Sequence, residues 1–228
     1  MPQKMAHNRR SFMQRTLAAA AMLPAGMAAA QEQAQPATKP WLEGGDLVAK
    51  MTWLNPPASV TYGGGMVTAK SRARTDFWRK TFYGYVTDNG HFFYLKIFGE
   101  FVFQARVSGK YAALYDQAGL MVRLDEKHWM KCGTELVDSK RRASVVFTHD
   151  FSDWSTMDDV SQNEAVYWRV ARQRDSIEAQ VSADGASFFT VRQGYFPAYV
   201  EAQVGLMCAS PEGAGFEASF DDLRLEKP

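Results

Sequence analysis

The chain has 228 residues, of which 46% are hydrophobic and 13% aromatic, and this is enough for one folded domain with a core of ordinary density. Its 26 basic and 25 acidic residues leave a formal net charge of +1. Because nucleic acid binding needs clustered positive charge, this balance argues against a nucleic acid partner.

The first thirty residues have the pattern of an export signal. Residues 8 to 14, NRRSFMQ, contain twin arginines, a weakly apolar run follows, and small residues lead to an A-x-A cleavage site that ends at Ala30. The apolar run is short, rich in alanine and interrupted by a proline and a glycine, so it falls below the ~20 residues that a membrane span needs. We therefore expect residues 1 to 30 to be a twin-arginine signal peptide rather than a membrane anchor.

Export has consequences for the rest of the chain. The signal carries four basic residues and no acid, so its removal changes the net charge from +1 to −3. Residues 31 to 40, QEQAQPATKP, are polar and contain proline, which is typical of a disordered leader. We expect a single β-sandwich domain over residues 41 to 228, located in the periplasm or secreted, without a membrane anchor.

After the leader, the chain shows short alternating segments divided by turn residues. The predicted strands are Met51–Leu54, Ser59–Tyr62, Met66–Ala69, Phe92–Ile97, Phe101–Val107, Ala118–Leu124, Trp129–Leu136, Ala165–Arg172, Ser176–Ser182, Phe188–Arg192, Ala202–Cys208 and Phe216–Leu225. The segment Thr75 to Thr81 is predicted to be a loop or short strand that packs Phe77 or Trp78 inward. No helical period is sustained, and turn signals recur at roughly 8–12 residues, so the fold class is all-β, with two packed antiparallel sheets.

The stretch from Tyr111 to Ser155 is the densest in candidate site residues, and we interpret it as three consecutive strands and a loop. Its first two strands form a hairpin that turns at Asp125 to His128. Alternation sends one set of side chains to the core: Ala118, Leu120, Val122, Leu124, Met130, Cys132 and Leu136. The opposite face then carries Gln117, Met121, Arg123, Trp129, Lys131 and Glu135.

This second face combines an aromatic ring with cations, a carboxylate and an amide, the groups that a sugar-binding surface uses. The alternative is a solvated outer face on which Glu135 pairs with Lys131 or Arg123 across strands. The segment Ser152 to Ser155 adds Asp153 and Trp154, which we place in a polar loop at the rim of the site. The alternative for Trp154 is a ring packed under its own loop.

The cysteines and histidines indicate neither a disulfide nor a metal. Cys132 falls on the apolar side of its strand, so we interpret Cys132 and Cys208 as buried free thiols. His91, His128 and His149 show no ligand spacing, and we expect no metal or other cofactor.

Four separated runs resemble a known family: TDFWRKT (75–81), LYDQAGLMVRLDEKHWMKCGTELVD (114–138), FSDWS (151–155) and GLMCASPEGAGFEASFDD (205–222). They are similar to the "regulation of enolase protein 1" family, a family of unknown function within the concanavalin A-like lectin/glucanase superfamily. The resemblance implies a jelly-roll β-sandwich with a concave sheet, in agreement with the alternation.

Glucanase chemistry of this superfamily needs two carboxylates about 5 to 5.5 Å apart for retention. Of the acids in the central stretch, Glu135 alone stands on the polar face, where Lys131 and Arg123 are expected to keep it ionised. No catalytic residue is therefore identified, and Glu135 is the one candidate.

The leading hypothesis is a carbohydrate-binding-like domain that takes a saccharide or a similar polar small molecule. The alternatives are a carbohydrate-active lyase, isomerase or hydrolase that uses Glu135, and a protein-interaction or regulatory module with an exposed apolar patch around Trp154 and Tyr195. The sequence leaves the oligomeric state open.

Overall fold

A computed structural model gives the structure of the protein and describes residues 41–158 and 164–227. The predicted signal peptide, its cleavage after Ala30 and the leader lie outside the described residues. Across the two described ranges, the structure contains no helix that is long and apolar enough to cross a membrane.

Strands dominate the described part of the chain. In chain order the elements are β1 (Leu42–Glu43), α1 (Gly44–Val48), β2 (Thr52–Leu54), β3 (Ser59–Gly63), β4 (Met66–Lys70), β5 (Phe77–Arg79), β6 (Val86–Asp88), β7 (His91–Phe98), β8 (Phe101–Gly109), β9 (Gln117–Arg123), β10 (His128–Val137), β11 (Lys140–His149), β12 (Phe151–Asp158), β13 (Ala165–Gln173), β14 (Ser176–Ser182), β15 (Phe189–Tyr195), β16 (Glu201–Ala209) and β17 (Glu217–Glu226). The one-turn helix α1 was not predicted, because five residues are too few to show a helical period.

The strands form two large antiparallel sheets and a small hairpin. The eight-stranded sheet has the order β15-β14-β13-β8-β17-β4-β3, with β1 also paired to β17, and the seven-stranded sheet has the order β12-β11-β10-β9-β16-β7-β2. The hairpin consists of β5 and β6. This architecture confirms the predicted concanavalin A-like jelly-roll β-sandwich of two antiparallel sheets.

The main core lies between the two sheets and is made of alternate side chains from both. Trp168 on β13 and Phe103 on β8 face Leu120 on β9 and Met130 on β10, and all four are fully buried. Each such side chain contributes ~1.5–3 kcal/mol when it leaves water. The predicted apolar face of the central hairpin is thus confirmed for Ala118, Leu120, Val122, Met130 and Cys132, while Leu124 is partly buried against the core and Leu136 is half-buried.

The two cysteines are free and buried. Cys132 on β10 lies opposite Leu120, and Cys208 on β16 lies opposite Ala118, so the whole of β9 separates them. Strands two places apart in a sheet are ~9–10 Å apart, which exceeds the ~7 Å limit between the Cα atoms of a disulfide.

A second, smaller core lies on the outer face of the seven-stranded sheet. The β5–β6 hairpin folds over this face, so that Phe77 and Trp78 pack with side chains that point away from the sandwich. The partners from the sheet are Phe92, Met121, Trp129, Val146 and Met207. Both predicted candidates for inward packing, Phe77 and Trp78, are therefore buried.

Candidate functional site

The six side chains that the sequence assigned to the second face of β9 and β10 do share one face, the outer face of the seven-stranded sheet. Contrary to the open surface expected from alternation, all six are buried. The cover comes from the segment around β5 and β6, and it divides the face into a covered end and an open end.

At the covered end, three of the six side chains of this face are packed under the β5–β6 hairpin and do not line the cavity described below. Trp129 is 1% exposed and meets the ring of Phe77 edge-on, with centroids 6.2 Å apart. Met121 belongs to the same apolar cluster. Arg123 donates two hydrogen bonds, of 2.6 and 2.8 Å, to the carboxylate of Asp88. These contacts hold the β5–β6 hairpin against the sheet, so the role of the three residues is structural.

At the open end, Gln117, Lys131 and Glu135 line a cavity of about 140 Å³. The row of the sheet between Lys131 and Glu135 holds Gly133 on β10 opposite Gly119 on β9. A β-carbon at either glycine would lie 2.0 to 2.3 Å from a carbonyl oxygen of the neighbouring strand, so neither position accepts a side chain. The absence of side chains in this row leaves space above the sheet.

The other walls of the cavity come from segments distant in sequence. They are Asp76, Trp78, Tyr83, Tyr85, Tyr115, Val146, Trp154, Pro211 and Glu212. Apart from Trp154, the sequence did not identify these residues as part of a site. The sequence did contain one signal for this part of the site, the aromatic run around Tyr83 and Tyr85. A short connection between two strands needs fewer aromatic side chains than this for its own packing.

The polar floor is a hydrogen-bonded group centred on Asp76. The ammonium of Lys131 donates to Asp76 Oδ1 at 3.0 Å and to the carbonyl oxygen of Phe77 at 2.7 Å. Gln117 Nε2 donates to Asp76 Oδ1 at 3.4 Å and to the carbonyl oxygen of Tyr115 at 3.2 Å. The alternative in which Glu135 pairs across strands with Lys131 or Arg123 is therefore not observed. Lys131 pairs instead with Asp76, and Arg123 pairs with Asp88.

Glu135 is 7% exposed, and its main polar partner is an indole. Trp154 Nε1 donates to Glu135 Oε2 at 3.0 Å and also to Ser144 Oγ at 3.0 Å. Burial raises the pKa of Glu135, and the opposing effect of Lys131 is smaller. Nearby cations were expected to prevent a raised pKa at Glu135, and the direction is the opposite, because the cost of removing the carboxylate from water exceeds its attraction to Lys131.

Tyrosines form the mouth of the cavity. Tyr83 stacks on Tyr85 with ring centroids 5.5 Å apart, and Tyr115 meets Trp154 edge-on at 6.3 Å. A hydrogen bond with Tyr83 and partial burial raise the pKa of Tyr115 to about 12. The Tyr115 hydroxyl therefore keeps its proton at neutral pH.

The segment with Asp153 and Trp154 is part of the edge strand β12 and not the loop that was predicted. Its polar composition is typical of an edge strand, which hides the strand signal in the sequence. Trp154 is 39% exposed and stands at the cavity mouth, so it is not packed under a loop. Asp153 does not reach this cavity; its carboxylate accepts a 2.7 Å bond from Arg192, and it lines a neighbouring hollow together with Trp154.

Within residues 41–158 and 164–227, no group of three or more His, Cys, Asp or Glu side chains is placed to hold a metal ion. His91 has a structural role, because it is buried between the backbone amide of Arg72, which donates to its Nε2 at 2.9 Å, and the carbonyl oxygen of Asn55, 2.7 Å from its Nδ1. Burial lowers the pKa of His91.

The fold defines a class, the β-sandwich proteins of two antiparallel sheets. A carbohydrate binding module from Bacillus subtilis, CBM66, has this type of fold, with a TM-score of 0.50 at 12% identity over 78% of this chain and 96% of that chain. At this identity the similarity shows the fold alone.

The particular family follows from closer matches. Residues 53–228 match the family described as "Protein of unknown function (DUF1349)", and the chain belongs to that family. "Regulation of enolase protein 1" of Saccharomyces cerevisiae is 42% identical over 178 residues, which cover 78% of this chain and 89% of the yeast protein. A crystal structure of a functionally unknown protein from Saccharomyces cerevisiae has a TM-score of 0.77 at 40% identity, over 79% of this chain and 98% of that chain.

Proposed function

We propose that this protein is an exported domain that binds a saccharide, or a similar polar small molecule, in the cavity lined by Gln117, Lys131, Glu135 and Trp154. One observation carries the proposal: aromatic rings form the mouth of this cavity, and buried polar groups form its floor. A sugar ring presents apolar C–H faces and polar hydroxyls at the same time. Aromatic walls pack against the former, and charged or amide groups bond to the latter.

Groups on the floor and at the mouth have hydrogen-bonding capacity left for a ligand. Lys131 directs two of its three N–H groups to Asp76 and to the carbonyl of Phe77, which leaves the third for a hydroxyl. Glu135 accepts hydrogen bonds from the indole of Trp154 and from Ser144, and because a carboxylate has about four acceptor positions, it has capacity left for a ligand. With its raised pKa, Glu135 either accepts a hydrogen bond or, when protonated, donates one.

The charge of the cavity favours neutral ligands. Asp76, Glu135 and Glu212 line it, against the single cation Lys131, which is already paired with Asp76. An acidic sugar would bring a further carboxylate into this environment, where like charges repel. We therefore expect glucose-type sugars to bind in preference to the corresponding uronic acids.

The comparisons support the proposal at the level of the fold. CBM66 is, by its description, a carbohydrate binding module, and it shares the sandwich architecture. The yeast relative's description names regulation of enolase, and at 42% identity it places the chain in a family without identifying a ligand. Export through residues 1 to 30 would bring the domain to the periplasm or the medium, where saccharides from outside the cell are met.

The test is a glycan array followed by calorimetric titration of the protein with each glycan that scores. We expect Trp154→Ala to lower the affinity at least tenfold, which corresponds to about 1.4 kcal/mol. Trp41→Ala is the matched control, because Trp41 is also an exposed indole, 55% exposed, but lies away from the cavity. If the wild-type protein binds no glycan, the proposed function is wrong.

A second candidate function is favoured by Glu135 itself. Its pKa is raised, as an acid catalyst requires, and the charge of Asp76 in the same cavity contributes to that shift. A glycoside hydrolase uses two carboxyls, one as acid and the other as base or nucleophile, and Asp76 is a second carboxyl that lines the same cavity. Product analysis on candidate oligosaccharides tests it: turnover that Glu135→Gln abolishes would establish an enzyme, whereas binding without turnover leaves the domain a binding module.

A further inference from the structure

A second hollow adjoins the first on the same face of the protein. Its volume is about 600 Å³, and three of its residues, Trp78, Tyr83 and Trp154, also line the first cavity. The two hollows therefore meet along a shared wall of three aromatic rings.

The second hollow presents aromatic rings that are exposed to solvent in the described part of the chain. Phe82 is 92% exposed and Phe151 is 59% exposed, and both line it. Phe82 also has a positive φ of 62°, a backbone conformation that costs free energy in a residue with a bulky side chain. Neighbouring exposed aromatic side chains on a soluble domain are typical of a binding surface.

One of these rings, Phe151, contacts a network at the end of β5. Asp150, in the β11–β12 turn, accepts hydrogen bonds from Arg79 at 2.8 Å and from Lys80 at 2.5 Å. Lys80 Nζ also lies 4.8 Å from the centre of the Phe151 ring. Lys80, two residues before Phe82, is thereby paired with Asp150, the residue before Phe151, so the backbone segments on the two sides of the second hollow are joined.

The sizes of the two hollows indicate how they would share a ligand. A cavity of about 140 Å³ is well below the ~300–1,000 Å³ of sites that enclose a drug-sized molecule, and it has room for one sugar ring. In an oligosaccharide, the next sugar unit would lie outside the cavity, beyond Trp154 and Tyr83. The surface at that position is the second hollow.

We propose that the site has two subsites and takes an oligosaccharide, with one unit in the first cavity and the adjacent unit on Phe82 and Phe151. This inference rests on the proposed saccharide-binding function. It adds that the natural ligand has at least two units and that Trp154 contacts both of them. Asp153, at the rim of the second hollow, supplies a carboxylate for the hydroxyls of the second unit.

The experiment compares affinities along homologous series by calorimetry: glucose to cellotetraose, xylose to xylotetraose, and glucose to maltotetraose. In the series that binds, we expect affinity to rise about tenfold from the monosaccharide to the disaccharide, as burial of one more sugar face on aromatic rings would give, and then to level off. Phe151→Ala and Phe82→Ala should remove most of this gain and leave the monosaccharide affinity unchanged. Phe98→Ala, an exposed phenylalanine at 55% on β7, is the matched control and should change nothing.

The inference would be overturned, while the saccharide function stands, by a disaccharide that binds no tighter than its monosaccharide or by variants that weaken the binding of both equally. A wild-type dimer in sedimentation velocity that Phe151→Ala dissociates would also overturn it, because a second copy would then cover these rings. Failure of every sugar to bind the wild type would instead remove the proposed function itself.

Discussion

The covered and open ends of the outer face stand on the same two strands, yet their side chains have different roles. At the covered end, Trp129 lies under Phe77 and Arg123 is held by Asp88. At the open end, Glu135 and Lys131 face a cavity bordered by Trp154. The parity of the residues is identical at both ends, so the difference comes from which part of the face the β5–β6 segment covers and from the row of glycines at the open end. Alternation along a strand determines on which side of the sheet a side chain lies. Whether that side chain is exposed to water depends on a segment that is distant in sequence.

The largest expected effect contrasts the two tryptophans of this face. Trp129→Ala should lower the free energy of unfolding by about 3–5 kcal/mol, because it leaves a cavity in the packed outer cluster. Trp154→Ala should cost no more than about 1–2 kcal/mol, since Trp154 is already partly exposed and loses mainly two hydrogen bonds. Urea unfolding followed by circular dichroism measures both. Equal costs for the two variants would show that the ends do not differ in the way described.

A smaller effect on stability is expected from the ion pair between Arg123 and Asp88, which holds the β5–β6 hairpin to the covered end of the face. Asp88→Ala leaves the buried guanidinium of Arg123 without its bidentate partner, and it should cost about 1–3 kcal/mol after allowance for Asp88, which is one-third exposed. Asp221→Ala is the matched control, because Arg106 and Asp221 form an equally bidentate pair in which the arginine is exposed. Its removal should cost less than about 1 kcal/mol in the same urea titration. A larger loss for Asp221→Ala would contradict the importance of burial here.

The smallest expected effect is a pH dependence at the open end. Because the pKa of Glu135 is raised on folding, the folded state binds more protons than the unfolded chain at pH values between the unfolded pKa of ~4.3 and the folded pKa. Stability from this group is therefore present below the unfolded pKa and is lost as the pH rises through the folded pKa. Glu135→Gln lacks this loss, so its stability relative to the wild type should increase with pH from about 4.3 upward.

Thermal unfolding at a series of pH values checks the Glu135 prediction. Glu126→Gln, in the exposed β9–β10 turn, removes a carboxyl that stays in water in both states and serves as the control. A stability difference between Glu135→Gln and the wild type that does not change with pH would show that the environment of Glu135 is not the one described.

The candidate site was predictable in part. The alternation along β9 and β10 correctly put Gln117, Lys131 and Glu135 on one face, and the cavity is built on them. It could not show that Met121, Arg123 and Trp129, which lie on the same face, are covered by the β5–β6 hairpin. It also missed Asp76, Tyr83 and Tyr115, because nothing local indicates that these segments return to the same face. Trp154 was identified, but as a loop residue, since an edge strand rich in polar side chains resembles a loop in sequence.

The sequence by itself determined the β-sandwich, most of the apolar set of β9 and β10, the buried state of Cys132 and the side of the sheet on which Glu135 stands. These properties follow from alternation and turn chemistry, which act over a few residues. Only the tertiary structure decided that β5 covers half of that side, that Asp76 rather than Glu135 is the partner of Lys131, and that the pKa of Glu135 is raised. Those outcomes depend on contacts between residues some 55 positions apart in the chain, and on the burial that such contacts create, so no local pattern encodes them.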